Sequence, residues 1–466
     1  MDVKAIQPDD SEEIKEVEPC GPVCRKPIQR VNQPLCIVMV GLPARGKTCI
    51  CMKLARYLRW IGFKTNAVNV GEYRRRAVGV QMPSSFFRRD NKEAMALRKT
   101  VALDALSDVY KWLIKEDGDI IVFDATNTTR ERRALILEYL IPKGIKVMFV
   151  ESICEDAAII EQNIKDVKVN SPDYKDLNSE VAIDDFQQRI EHYREAYEPL
   201  TVEYDGARSF IQIFDVGQRF LVNKIQGHRQ TRIVYYLMNL HIRPRTIFLT
   251  RHGESMCNMT GKIGGNADLS DNGREYSKKL GEFMASMRES LPGLKVWTSY
   301  LKRTVQTAEV AGLNYEKWKA LDELDAGQCD GLSYEEIQER FPEEFAKRDQ
   351  DKYNYRYPMG ESYRDLVQRL EPVIMELERQ NNVLVICHQA VMRCIQAYFL
   401  DKDEASLPYL NCPLHTVVKL TPSAYNPELE QLKFDIGAVD THRPKPKKVT
   451  VNRSTSEALM TVPAHY

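Results

Sequence analysis

Short apolar, β-branched runs alternate along this chain with longer stretches in which apolar positions return at helical spacing. In the first half the runs are residues 35–40, 66–70, 120–123, 146–150 and 211–214, and they predict strands. Between them, residues 47–61, closed by Gly62, 92–115, closed near Gly118, and 183–197, stopped by Pro199, carry helical patterns. Strands alternating with helices imply a parallel sheet covered on both faces. Residues 222–240 read as a helix ended by Pro244, a natural bridge between two domains. A second series follows, with strands at 246–250, 295–298, 382–387 and 417–420 and helices at 272–290, 301–311, 333–340, 362–379 and 391–400.

The fold class expected is α/β throughout. An N-terminal mononucleotide-binding domain with a mainly parallel sheet (33–245) precedes a C-terminal α/β domain (246–440). Residues 1–32 are polar and aperiodic and predict a flexible tail; residues 441–466 place Arg443, Lys445, Lys447, Lys448 and Arg453 among prolines and predict a basic, disordered one.

Length and charge narrow the function. A chain of 466 residues is too long for one ordinary core, and 43% hydrophobic with 28% charged residues fits a water-soluble globular protein. Lys plus Arg equals Asp plus Glu at 66 each, so no global positive field points to nucleic acid or an anionic membrane. An anionic ligand must be met by local arginine clusters. The acidic start lacks an apolar signal core, and no apolar run is long enough to span a bilayer. Eleven cysteines, an odd number without framework spacing, predict free thiols in a reducing, cytoplasmic compartment; Cys20 and Cys24 have no second pair with which to bind zinc.

Immediately after the first predicted strand come Gly41, Leu42, Pro43, Ala44, Arg45, Gly46, Lys47 and Thr48, a full phosphate-binding-loop pattern followed directly by a helical one. The glycines let backbone amides close around phosphates, Lys47 reaches the terminal oxygens, the Thr48 hydroxyl suits Mg²⁺, and the helix N-terminus favours the anion. Asp124 ends an apolar strand where a second, metal-side carboxylate belongs. Arg74–Arg76, Arg88, Arg89, Arg98, Arg130, Arg132 and Arg133 concentrate positive charge after predicted strands and suit a phosphorylated acceptor.

The second half holds different chemistry. Arg251, His252, Gly253 and Glu254 follow its first strand, Glu323 stands in an acidic segment, and a late strand delivers Cys387, His388 and Gln389. Dephosphorylation through a covalent intermediate needs an imidazole nucleophile, cations around the phosphoryl oxygens and an acid for the leaving alkoxide. His252 can supply the first, Arg251, Arg303 and His388 the second, and Glu323 the third.

With these motifs in this order, residues from about 246 to 440 resemble the histidine phosphatase, or phosphoglycerate-mutase-like, superfamily. The chain from about 33 to 463 resembles the bifunctional 6-phosphofructo-2-kinase/fructose-2,6-bisphosphatase family, on the segments 123–132, 150–154, 171–174, 346–353 and 397–401 as well. The resemblance implies an enzyme that makes fructose 2,6-bisphosphate from fructose 6-phosphate with MgATP and hydrolyses it through a phosphohistidine, controlling glycolysis against gluconeogenesis.

It also implies roles that composition cannot give. Arg74, Arg98, Thr126, Arg132, Lys168, Arg189 and Tyr193 fall on the fructose 6-phosphate site, Asn163 to Lys168 on the ATP site, and Asp124 and Cys154 on active-site positions. Asn258, Gly264, Tyr334, Arg348, Lys352, Arg356, Tyr363, Gln389 and Arg393 fall on the bisphosphate site, which needs no cofactor. A homodimer through the kinase halves is implied, and regulatory protein kinases could act on the tails, with Thr450, Ser454, Thr455 and Ser456 as candidates. Two features depart from the family. The N-terminal tail lacks an Arg-Arg-x-Ser signal, and Lys262 stands where the family has arginine, keeping charge but losing a bidentate grip. A polynucleotide kinase/phosphatase and a silent regulatory scaffold remain the alternative readings; the first would bind oligonucleotides with steep salt dependence.

Overall fold

In the computed structural model the described residues are 33–463 apart from 81, 171, 175–178, 241–244, 423–426, 448 and 451, and the side chains of 166–170 and 179 also lie outside the described set. The tail expected at 1–32 lies outside it too.

Six strands form the first sheet: β1 (Leu35–Val40), β2 (Thr65–Asn69), β3 (Ile120–Asp124), β4 (Lys146–Ile153), β5 (Ser209–Phe214) and β6 (Arg219–Asn223). They stand in the order β2-β3-β1-β4-β5-β6, all parallel except β6, which pairs antiparallel with β5. Every residue of β1 is buried because both faces are covered. Leu35, Ile37 and Met39 face one apolar cluster and Cys36, Val38 and Val40 face another. The loop that follows β1 therefore leaves the centre of the sheet at its carboxyl end, where ligands of open α/β sheets bind.

The second sheet contains β7 (Thr246–Arg251), β8 (Lys295–Thr298), β9 (Glu316–Lys317), β10 (Asn382–Cys387), β11 (Thr416–Thr421) and β12 (Glu428–Lys433). Its order is β12-β11-β7-β10-β8-β9, with β7, β10, β8 and β9 parallel and β11 and β12 antiparallel. Register decides the chemistry. Arg251 pairs with Cys387, so the next residues, His252 and His388, leave neighbouring strands side by side.

Several expected elements are corrected. The helix expected over 222–240 is strand β6 followed by a helix at Gly227–Asn239. Asp215, Val216 and Gly217 adopt positive φ and turn the chain back, so Arg219–Asn223 adds to the sheet edge. Nor is that helix a loose bridge: Tyr236 stacks on Tyr57 of the helix Lys47–Trp60 at 4.2 Å between ring centres and 6° between planes. The helix expected to start at 183 begins at Ser179, and Val70 opens the helix Val70–Val78, which carries Arg74, Arg75 and Arg76. The edge strands β9 and β12 escaped notice because they lack an apolar run.

The C-terminal segment expected to be disordered is also different. Arg443 reaches both oxygens of buried Asp349 at 2.6 and 2.7 Å, Arg453 reaches the same carboxylate at 2.5 Å, and the helix Thr455–Leu459 is capped by Ser454. A bidentate buried ion pair offsets the cost of ordering a segment that composition alone leaves loose.

One apolar cluster runs through both halves and includes Tyr57, Trp60, Tyr236, Leu370 and Tyr398. At its centre the fully buried Glu378 carboxylate meets Arg245, Lys53 at 3.6 Å and Arg56 at 3.7 Å, and accepts from the Tyr398 hydroxyl at 2.7 Å. Burial alone would raise this carboxyl, but Arg245, Lys53 and Arg56 override it and hold it far below the usual range. Glu378→Ala would leave cations facing one another in the core and is expected to cost about 3–5 kcal/mol, read from urea denaturation. Since the folded-state value is depressed, this contribution is complete above the ordinary glutamate value of 4.5 and fades as pH falls below it.

Candidate functional sites

The loop after β1 is shaped by four consecutive carbonyls, each held by a side chain. Lys47 Nζ donates to Leu42 at 2.5 Å, Arg45 Nη1 to Pro43 at 3.0 Å, Asn163 Nδ2 to Ala44 at 3.0 Å and Ser152 Oγ to Arg45 at 2.5 Å. With the carbonyls engaged this way, the amides are left to line a cradle. Gly41 is required at its mouth: φ is +130°, and a Cβ there would stand 2.5 Å from the Ser152 carbonyl oxygen. Below the cradle, Thr48 Oγ1 and Asn69 Nδ2 each donate to Asp124 Oδ2 at 2.8 Å. Burial lowers Lys47 to about 8, against the pull of Asp124, and raises the Asp124 carboxyl against the hydrogen bond from Thr48.

A cleft of about 1530 Å³ takes in Pro43 to Thr48 and Asp124 together with Arg74, Arg98, Thr126, Arg132, Arg189, Tyr193, Asn163 and Cys154. Arg75, Arg89 and Arg130 converge there too, but Arg76 and Arg88 are exposed beside Glu72 and Asp90, Arg133 is buried against the Asn127 and Thr128 carbonyls, and the side chain of Lys168 lies outside the described residues. Asp173, which sequence reasoning left without a role, pairs with Arg74, with Arg75 at 3.8 Å and with Arg189 at 3.7 Å. Burial brings the Arg132 guanidinium down to about 10. Burial would raise the Tyr193 phenol, yet the Arg189 and Arg98 cations and hydrogen bonding with Thr126 bring it below its usual value. Cys154 is buried, and burial raises its thiol.

In the second sheet, His252 and His388 lie 5.2 Å apart between ring centres. One N–H, Arg303 Nε, donates to His252 Nε2 at 3.0 Å and to His388 Nδ1 at 3.2 Å. His252 Nδ1 faces the Gly253 carbonyl at 2.7 Å, so that nitrogen carries the proton and Nε2 keeps its lone pair. Arg251 Nη1 donates to the Cys412 carbonyl at 3.0 Å and to Thr441 Oγ1 at 2.6 Å. The Glu323 carboxylate accepts from the Ala390 amide at 3.2 and 3.3 Å, at the start of the helix Gln389–Phe399, and its charge acts on both Arg251 and Arg303.

Comparison with known proteins finds matches to both halves of the chain. Residues 25–244 match the model of 6-phosphofructo-2-kinase, and residues 247–435 match that of the histidine phosphatase superfamily, branch 1. A 6-phosphofructo-2-kinase/fructose-2,6-bisphosphatase of Gallus gallus is 60% identical over 438 residues, 94% of this chain and 93% of that one. The relative of Aquarana catesbeiana is 59% identical over 94% and 93%, and form 1 of Homo sapiens 58% over 94% and 92%. The chain belongs to the bifunctional 6-phosphofructo-2-kinase/fructose-2,6-bisphosphatase family. Its kinase and histidine phosphatase domains are those of an α/β enzyme.

Of the remaining residues that the family suggests for the bisphosphate, Tyr334, Arg348, Lys352, Tyr363 and Arg393 form one cluster around buried cations. Arg348 donates to the Tyr357 hydroxyl at 2.6 Å and the Tyr334 hydroxyl at 3.4 Å, Arg393 to Tyr363 at 3.1 Å, and Lys352 to the Pro408 carbonyl at 3.0 Å. Burial, helped by Arg393, Arg348 and Arg443, pushes the Lys352 ammonium well down. Gln389 Nε2 donates to the Thr441 carbonyl at 3.2 Å. Gly264 has φ of +68°, and a Cβ there would stand 1.7 Å from Asp330 Oδ1; the next residue's carbonyl accepts from Arg303 Nη1 at 2.6 Å. Asn258 Oδ1 accepts from the Ser255 amide at 3.0 Å, and Arg356 is exposed and paired with Asp365 at 2.5 Å. Lys262 is exposed. Sequence reasoning missed Asn69, Ser299 and Thr441, which stand in no motif, gave Asp173 no role although it lies in the segment 171–174, and assigned Arg443 to a tail expected to be disordered.

Burial, followed by the cations Arg303 and Arg251, lowers His252 well below 6.5; the same burial and Arg303, then His252 and Arg251, lower His388. Both imidazoles are accordingly neutral in the ligand-free protein. In a proton NMR titration between about pH 8 and 6.5 their Cε1–H signals are expected to stay at the neutral position; movement toward imidazolium shifts in that window would contradict the burial argument.

Proposed function

We propose that the chain phosphorylates the 2-hydroxyl of fructose 6-phosphate with ATP and removes the same phosphoryl group at a second site through His252. Two observations support this reading most directly: Thr48 and Asp124 bonded beneath an amide-lined cradle, and one Arg303 N–H shared by two neutral imidazoles.

In the kinase half the amides and Lys47 hold the nucleotide's phosphates, while Arg74, Arg98, Arg132 and Arg189 meet the phosphate of the sugar. Thr126 and Tyr193 orient the sugar beside Asp124, and catalysis is chiefly positioning and charge neutralisation. The oxygen donors Thr48 and Asp124 suit Mg²⁺, which when bound would offset charge on the phosphates. Lys47→Met is expected to lower kinase turnover roughly 100-fold or more while leaving phosphatase turnover within about 2-fold, measured with both substrates on one preparation. An unchanged kinase rate would remove the cradle from the mechanism.

In the phosphatase half, His252 Nε2 attacks the phosphorus on C2. Arg251 and Arg303 neutralise the phosphoryl oxygens, and Lys352, Arg348 and Arg393 hold the distal phosphate. Glu323, in the form that has taken up a proton from solvent, gives it to the departing 2-oxygen and then, as the carboxylate, takes one from the water that cleaves the phosphohistidine, so no cofactor enters. Acid-quenched reactions with labelled bisphosphate are expected to trap phosphoprotein in the native enzyme and none in His252→Ala. Retained label would move the nucleophile elsewhere.

Among the described residues all nine cysteines are free and no helix is long and apolar enough to cross a membrane, which supports a reducing, cytoplasmic setting. Family resemblance supports a homodimer through the kinase halves and protein kinases acting on the tails.

A further inference from the structure

His388 differs from His252 in which nitrogen faces the site. Its Nδ1 accepts from Arg303 Nε, an obligate donor, at 3.2 Å, so in the neutral ring the proton sits on Nε2. Nε2 faces the fully buried Ser299 Oγ at 2.8 Å. That oxygen also accepts from the Leu301 amide, a second obligate donor, at 3.1 Å. With both lone pairs taken, the Ser299 hydroxyl has one course left, donation to Thr304 Oγ1 at 2.8 Å. Thr304 in turn donates to the Leu301 carbonyl at 2.9 Å. The direction of every bond is thus fixed from His388 Nε2–H through Ser299 and Thr304 to a carbonyl, and the chain has no second polarity that satisfies both ends.

We propose that Ser299, backed by Thr304, is a positioning residue of the phosphatase: it holds His388 as the Nε2–H tautomer, leaving Nδ1 beside Arg303 and His252 to take up a proton when the phosphoryl group enters. The step balances. An incoming ester in its monoanionic form loses its O–H proton to Nδ1, giving a dianion and an imidazolium, and no electrons are exchanged. Ser299 accepts from Nε2–H before and after, so nothing behind the ring has to reorganise. Burial among Arg303, His252 and Arg251 keeps the ring neutral until that anion arrives. This inference rests on the phosphatase reading above, but the resting tautomer can be tested without it.

The experiment is ¹⁵N imidazole NMR on the full, ligand-free chain, followed by kinetics of Ser299→Ala, Ser299→Cys and Thr304→Val. In the native protein His388 should show a protonated Nε2 with a resolved, slowly exchanging N–H and an unprotonated Nδ1. In Ser299→Ala that N–H signal should be lost to exchange, and phosphatase kcat should fall roughly 10-fold or more, with KM within about 2-fold because the anion-holding cations are untouched. Ser299→Cys, a weaker acceptor of similar size, should fall between, and Thr304→Val should keep the tautomer. Kinase turnover in each variant reports intact folding, and if Ser299→Ala does not fold, the native tautomer and Ser299→Cys still decide. A native His388 protonated on Nδ1, or a Ser299→Ala enzyme with native kcat, overturns the proposal. Absence of any phosphoenzyme from the native protein would instead sink the phosphatase reading and leave the tautomer assignment standing.

Discussion

Buried positive charge without a carboxylate in direct contact is the constraint on which both halves depend. Lys47, Arg251, Arg303 and Lys352 are each less than a tenth exposed, and among the described residues none forms an ion pair; they bond to carbonyls, hydroxyls or imidazoles instead. Removing a cation from water is expensive unless an anion joins it. The fold holds these groups in place by other means, and in the proposed function a phosphate entering either site supplies the missing charge. Glu378 shows the contrast: there the chain provides its own anion and surrounds it with Arg245, Lys53 and Arg56, and the result is a structural junction.

The same solution is used twice by different parts. In each sheet the reactive groups leave the carboxyl ends of central parallel strands, where backbone amides and side chains can converge without breaking the sheet. In the first, β1 leads into a cradle; in the second, the pairing of Arg251 with Cys387 sets two imidazoles side by side. The helix Lys47–Trp60, which begins at the cradle, packs against the half that carries the imidazoles through Tyr57, which donates to Glu371 at 2.6 Å, and Trp60, which donates to the Cys394 carbonyl at 3.0 Å. The two sites share a core although they share no motif.

Much of this was legible in the residues. The alternation of apolar runs located the central strands because both their faces are buried, and the local motifs at 41–48 and 251–254 name chemistry that only one backbone arrangement can present. Edge strands β9 and β12 and the hairpin that makes β6 were hidden because they carry no continuous apolar signal. The C-terminal segment misled for a related reason: its order comes from single long-range ion pairs such as Arg443 with Asp349, and composition cannot see a partner 94 positions away. Ser299 was equally invisible, since its role depends on which nitrogen of His388 it faces.

The central claim is that one phosphoryl group travels through both sites. Incubating the protein with fructose 6-phosphate and ATP labelled in its terminal phosphate, and following the label in time, tests it most directly. The account predicts label appearing first on C2 of the sugar, then on His252, and last as inorganic phosphate. Label passing from ATP to inorganic phosphate without entering the sugar or the protein would contradict it.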